Sequence, residues 1–117
     1  MNSVSMFVPC QIVYLPYQQQ RLYAEVIQTL EATGKGWVRP LALAELEGDG
    51  SPVTIHDLRF TSDLLWPLDG FQIALDTEVL PVLESITHQE PVDVSVSRAH
   101  LHRFIAQLWA TENSKNH

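Results

Sequence analysis

Apolar and polar residues alternate through the first two thirds of the chain and recur at helical spacing near its end. At 22–30, Leu22, Ala24, Val26 and Leu30 fall on one side, interrupted by Gln28, and Tyr23, Glu25, Ile27 and Thr29 fall on the other. Side chains that alternate in direction mark a half-buried strand. Leu22, Val26 and Leu30 also satisfy a helical spacing, and the residues that follow decide between the two. Thr33-Gly34-Lys35-Gly36 is a compact turn, and an apolar run resumes over 37–46, which reads as a hairpin.

The flanking segments extend this pattern. Residues 1–6 read as a loose start, and 7–15 as a first strand that is at an edge or begins after Pro9. A polar connection follows at 16–20, with three successive glutamines. Pro40 inside the 37–46 run marks an edge position or a bulge. A turn at 47–52 leads to a fourth strand over 53–60, where Val53 and Ile55 share one face and Leu58 and Phe60 the other. That change of phase places a bulge or a strong bend near His56 and Asp57, of the kind that curls a short sheet. Ser62 can cap one helical turn over 63–66, which Pro67 ends. Residues 71–75 form a fifth apolar run.

The remainder is helical. Asp76 or Thr77 can start a short helix to about 85, with Pro81 tolerated in its first turn. Pro91 lies in a linker over 88–94. A second helix is expected over 97–110, capped by Ser97 and stapled by Val96 and Leu101. Leu101, Phe104, Ile105 and Leu108 form its apolar stripe, Trp109 borders it, and 111–117 is a frayed tail. The expected fold is mainly β with α: a small antiparallel, partly closed, SH3-like barrel of four or five short strands over 7–75, followed by two C-terminal helices over 76–110. The SH3 comparison rests on element order alone. A length of 117 residues makes this one domain, 1–117.

Charge narrows the partners. Fourteen acidic residues against seven basic ones leave a net charge of −7. This repels phosphate backbones, and the basic residues are scattered, so nucleic acid is not an expected partner. No run reaches the roughly 18 apolar residues that span a bilayer, and there is no signal-peptide n-region, so neither a membrane nor export is expected. The lone cysteine, Cys10, excludes an intrachain disulfide and suits a reducing, cytoplasmic compartment.

Candidate chemistry is sparse. His100 and His102 lie about 200° apart around a helix, and neighbours His56 and Asp57 point to opposite faces of a strand, so no metal site is expected. Asp57, Asp63, Asp69 and Asp76 could do acid–base work only by converging in a cleft. Helix N-termini explain Asp63 and Asp76 more simply, and a turn explains Asp69. Cys10 lies in an apolar run and reads as buried. Gly34-x-Gly36 has no helix after it to cradle a phosphate. Tryptophan and arginine are the residues richest in binding energy at interfaces, which directs attention to Trp37, Arg39, Arg59 and Trp66. Trp37 is expected in the core, Arg39 with a solvent-facing tip, and Trp66 exposed.

The run Trp37-Val38-Arg39-Pro40-Leu41-Ala42-Leu43, with Asp57-Leu58-Arg59, Ser62-Asp63-Leu64-Leu65-Trp66-Pro67 and Ala74-Leu75-Asp76-Thr77-Glu78-Val79, resembles a family of small uncharacterised cyanobacterial proteins. The resemblance implies a cytoplasmic protein of a photosynthetic bacterium. It brings no activity, cofactor or site residue.

Two readings follow. The first is a non-enzymatic protein-interaction or accessory module that binds a protein partner or a second copy through Arg39, Arg59, Trp66 and Trp37, without catalytic residues, cofactor or metal. The second is a small enzyme or ligand binder with a cleft near His56, Asp57, Asp63 and Asp76. A deep pocket lined by those residues favours the second, and an exposed apolar patch favours the first.

Overall fold

Consecutive residues in the central strands are buried on both sides of the sheet, and this organises the fold. A computed structural model describes residues 7–115, with side chains through 111. The expected loose start at 1–6 lies outside the described residues. The strands are β1 (Ile12–Tyr17), β2 (Gln20–Leu30), β3 (Lys35–Leu46), β4 (Pro52–Asp57), β5 (Leu64–Pro67) and β6 (Gln72–Ile73). The helices are α1 (Asp76–Thr87) and α2 (Val94–Lys115). The antiparallel sheet runs β4-β3-β2-β1-β6, with β5 also paired to β3.

Leu22, Tyr23 and Ala24 on β2 and Ala42, Leu43 and Ala44 on β3 are all buried. Leu22, Ala24, Leu43, Val13 and Leu15 pack with Leu101, Phe104 and Leu108 of α2. Tyr23, Ala42 and Ala44 pack with Val79, Val82 and Ile86 of α1. Strand side chains alternate between faces, so one helix covers each face. A barrel would enclose a single core on the concave face. Here two cores exist, among the described residues β4 and β6 do not pair, and the sheet stays open. The expected partly closed SH3-like barrel is therefore not formed.

Two bulges set which side chains face which helix. The β2–β3 register shifts at Ile27 and again at Leu41. The shift at Ile27 explains why Gln28 interrupts the alternation of β2. The shift at Leu41 lets Val38 and Leu43, an even and an odd position, reach the same core under α2. Pro40 lies beside this bulge. β5 pairs with β3 through Val38, and β4 pairs with it from Ala42. Pro40 thus occupies the gap between two partners, where a missing N–H costs no ladder bond.

Several boundaries differ from expectation. Residues 7–11 are not strand: Cys10 adopts a left-handed conformation with φ 73° and is exposed rather than buried. The polar connection at 16–20 is a tight hairpin in which Tyr17 pairs with Gln20 and Gln18 takes φ 53°. The β2–β3 turn occupies 31–34, closed by Gly34 at φ 70°, while Lys35 and Gly36 already belong to β3. Strand β4 ends at Asp57 with no register shift at His56 and Asp57, so the bulge offered there is absent, and the irregularity on this hairpin lies at Glu45/Leu46. The expected helical turn at 63–66 is strand β5, because pairing with Lys35–Val38 satisfies its backbone. A short 3-10 turn follows instead at Leu68–Gly70.

The helices also shift. In α1 the N-cap position is Leu75, which has no side-chain acceptor, and Glu78 Oε1 accepts from the Leu75 N–H at 3.3 Å. Pro81 lies in the second turn, not the first. In α2 the capping group is Asp93, whose Oδ1 accepts from the Ser95 N–H at 2.8 Å, so Ser97 is inside the helix. Val96 is exposed and forms no staple. The helix continues past 110 to Lys115, where a frayed tail was expected, and 116–117 lie outside the described residues. No helix among the described residues is long and apolar enough to cross a membrane.

Candidate functional site

At the corner where β5 meets the start of β3, Trp37 pairs with Leu65 across the strands. Both are exposed, Trp37 at 44% and Leu65 at 54%. Trp37 is not part of the core that α1 covers. The Trp37 indole N–H donates to Asp63 Oδ2 at 2.9 Å. Asp63 Oδ1 lies 3.6 Å from Arg39 Nε, a loose ion pair. Asp63 therefore anchors the tryptophan and leaves most of the Arg39 guanidinium free. This reverses two expectations: Trp37 is a surface residue, and Trp66 is half-buried against the α2-side core, edge-on to Trp109 at 6.0 Å. Arg39 does reach solvent.

Arg59 is occupied within the fold. Its Nε and Nη2 bind the two oxygens of Asp57 at 3.0 and 2.8 Å. Its Nη2 also donates to the Ile86 carbonyl at 3.2 Å. Burial would push the Asp57 carboxyl up, but the bonds from the Arg59 side chain and backbone N–H outweigh it and hold it below the usual carboxylate range. These contacts lock the end of β4 to the end of α1. Asp57, Arg59, Phe60, Val92 and Ser97 line a mostly apolar hollow of about 270 Å³ beside the α1–α2 linker.

His56 is drawn elsewhere. It projects toward α2, where its Nε2 lies 2.6 Å from Glu45 Oε2. The His56 ring stacks on His100 with centroids 4.0 Å apart. Burial, with His56 and Arg103 acting in the same direction, lowers His100 below the usual imidazole range against the pull of Glu45. Glu45, His100, Arg103, Gln107 and Gln18–Gln20 line a polar cleft of about 330 Å³ between the β1–β2 turn, β3 and α2.

The structure thus places His56, Asp57 and Asp63 in three separate environments, while Asp76 is exposed at the start of α1. Among the described residues, no group of three histidine, cysteine or acidic side chains converges to hold a metal ion. Sequence reasoning missed Leu65, which was assigned to a helical turn, and the Glu45–His56–His100 cluster. Strand register could have placed Glu45 and His56 on one face, since the pairs 43–56 and 45–54 are consecutive on that face. Nothing in the pattern indicated where α2 would dock. The chain matches no family model, no curated protein and no solved structure.

Proposed function

We propose that the protein is a non-enzymatic interaction module of the cytoplasm that meets a protein partner through the β3–β5 corner. The observation that carries this reading is the exposed Trp37 ring, fixed by its bond to Asp63 and flanked by exposed Leu65. A side chain already held in one rotamer loses less entropy on binding. Tryptophan and arginine supply much of the energy at interface centres. Arg39 keeps donors free for a carboxylate. The complementary partner therefore presents an apolar side chain to Trp37 and Leu65 and an acidic group to Arg39. Arg59, bound to Asp57 and Ile86, and Trp66, packed on the core, are engaged within the fold rather than offered to the partner. The charge of −7 disfavours nucleic acid as the partner.

The test uses the full chain with Trp37→Ala, Leu65→Ser and Arg39→Ala. Cross-linked partners are recovered from the native host, and sedimentation reports self-association. Loss of the complex in all three variants, with unfolding curves near wild type, is the expected result. Retention of every complex in Trp37→Ala would overturn the assignment.

A further inference from the structure

The polar cleft beside α2 differs from the Trp37 corner in position and in chemistry. Its walls carry one fixed cation, Arg103, and one carboxylate, Glu45. Among the described residues Arg103 has no ion-pair partner. Glu45 uses Oε2 toward His56 and remains 46% exposed. The amides of Gln18, Gln19, Gln20 and Gln107 add donors and acceptors around the mouth. A volume of about 330 Å³ suits a small molecule.

We infer that this cleft binds a free α-amino acid as its zwitterion, carboxylate toward Arg103 and ammonium toward Glu45. Charge decides the class. A simple anion would gain Arg103 but face the Glu45 carboxylate, and a simple cation would gain Glu45 but face Arg103. A ligand with one charge of each sign satisfies both walls and leaves no new charge unpaired. The guanidinium fork matches a carboxylate in two parallel bonds. The glutamines match a polar amino-acid side chain, because each amide both donates and accepts. His56 contacts Glu45 at 2.6 Å, and His100 forms part of the wall.

The experiment is calorimetric titration of the full chain with L-glutamine, L-asparagine and L-serine, each beside its N-acetyl and its carboxamide form. At least one zwitterion should bind, with both blocked forms about tenfold or more weaker. Arg103→Gln should weaken the zwitterion by about tenfold, and the cationic carboxamide form, freed of the opposing charge, should bind no more weakly than before. Glu45→Gln should weaken the zwitterion and spare the N-acetyl form. Both side chains are solvent-exposed in part, so melting curves near wild type are expected and will be checked. An N-acetyl form that binds as tightly as the zwitterion would make this an anion site and overturn the inference. Absence of heat with all three amino acids would do the same.

Discussion

His56 on β4 and His100 on α2 stack face to face, with ring centroids 4.0 Å apart and planes 23° from parallel. His56 Nε2 lies 2.6 Å from Glu45 Oε2, and Arg103 adds positive charge near His100. The pair joins the sheet to the helix, with His100 lining the polar cleft, and protonating His100 works against burial, His56 and Arg103 together.

That opposition gives a pH dependence with a definite sign. A histidine whose folded pKa is depressed binds protons more readily when unfolded. Its contribution to stability is present above the unfolded value, about 6.5, and is lost as pH falls through the lower folded value. Melting temperature should therefore drop from about pH 8 to about pH 5, and His100→Gln should flatten part of that slope. An unchanged slope in His100→Gln would show that His100 does not titrate as described.

Asp57 should add a second acid-sensitive step at lower pH. Its folded pKa is depressed, with burial opposing the shift and the bonds from Arg59 prevailing. Its stabilisation is present above the unfolded value, about 3.9, and disappears as pH falls through the folded one. Asp57→Asn should remove this step and, by breaking the two-pronged contact to Arg59, cost about 1.5–3 kcal/mol at neutral pH. Denaturant unfolding of the variant across the acid range measures both effects.

The two tryptophans of the β3–β5 region should respond differently to truncation. Trp66 packs on the core and on Trp109, so Trp66→Ala should cost about 3 kcal/mol. Trp37 is exposed and loses one hydrogen bond to Asp63, so Trp37→Ala should cost about 1 kcal/mol. Urea unfolding of the two variants checks the order, and equal losses would place Trp37 in a packed environment.

Docking of α2 should dominate stability on its side of the sheet. Leu101 and Phe104 are nearly inaccessible, and each contributes about 1.5–3 kcal/mol before entropy is subtracted. Phe104→Ala should cost about 3–5 kcal/mol, and deleting the chain from Val94 onward should abolish the cooperative melt followed by circular dichroism. A deletion variant that melts like the full chain would show that the sheet does not need this helix.

On the other face, the small size of Ala42 and Ala44 lets α1 approach the sheet. Ala44→Leu should overpack this contact and cost about 1–3 kcal/mol, read as a lower urea midpoint. A neutral result would mean that α1 is held mainly by its ends, through Arg21 to Glu78 at 2.8 Å and Arg59 to Ile86.

Local pattern was enough for much of the architecture. Alternation in 22–30, the glycine turns and the apolar stripe Leu101-Phe104-Leu108 specify strands, hairpins and the last helix, because each depends on neighbours a few residues apart. The same information could not separate strand from helical turn at 63–66, where pairing with distant Lys35–Val38 decides. It could not show that Leu22-Tyr23-Ala24 is buried on both faces, since that requires one helix on each side of the sheet. The choice of an open sheet over a barrel follows from those two docked helices. The candidate sites lay further from reach. Trp37 is exposed because it belongs to neither of the cores that the two docked helices close. Glu45, His56, His100 and Arg103 meet because α2 crosses the sheet at that point, and such contacts between remote segments are set by packing rather than by local sequence.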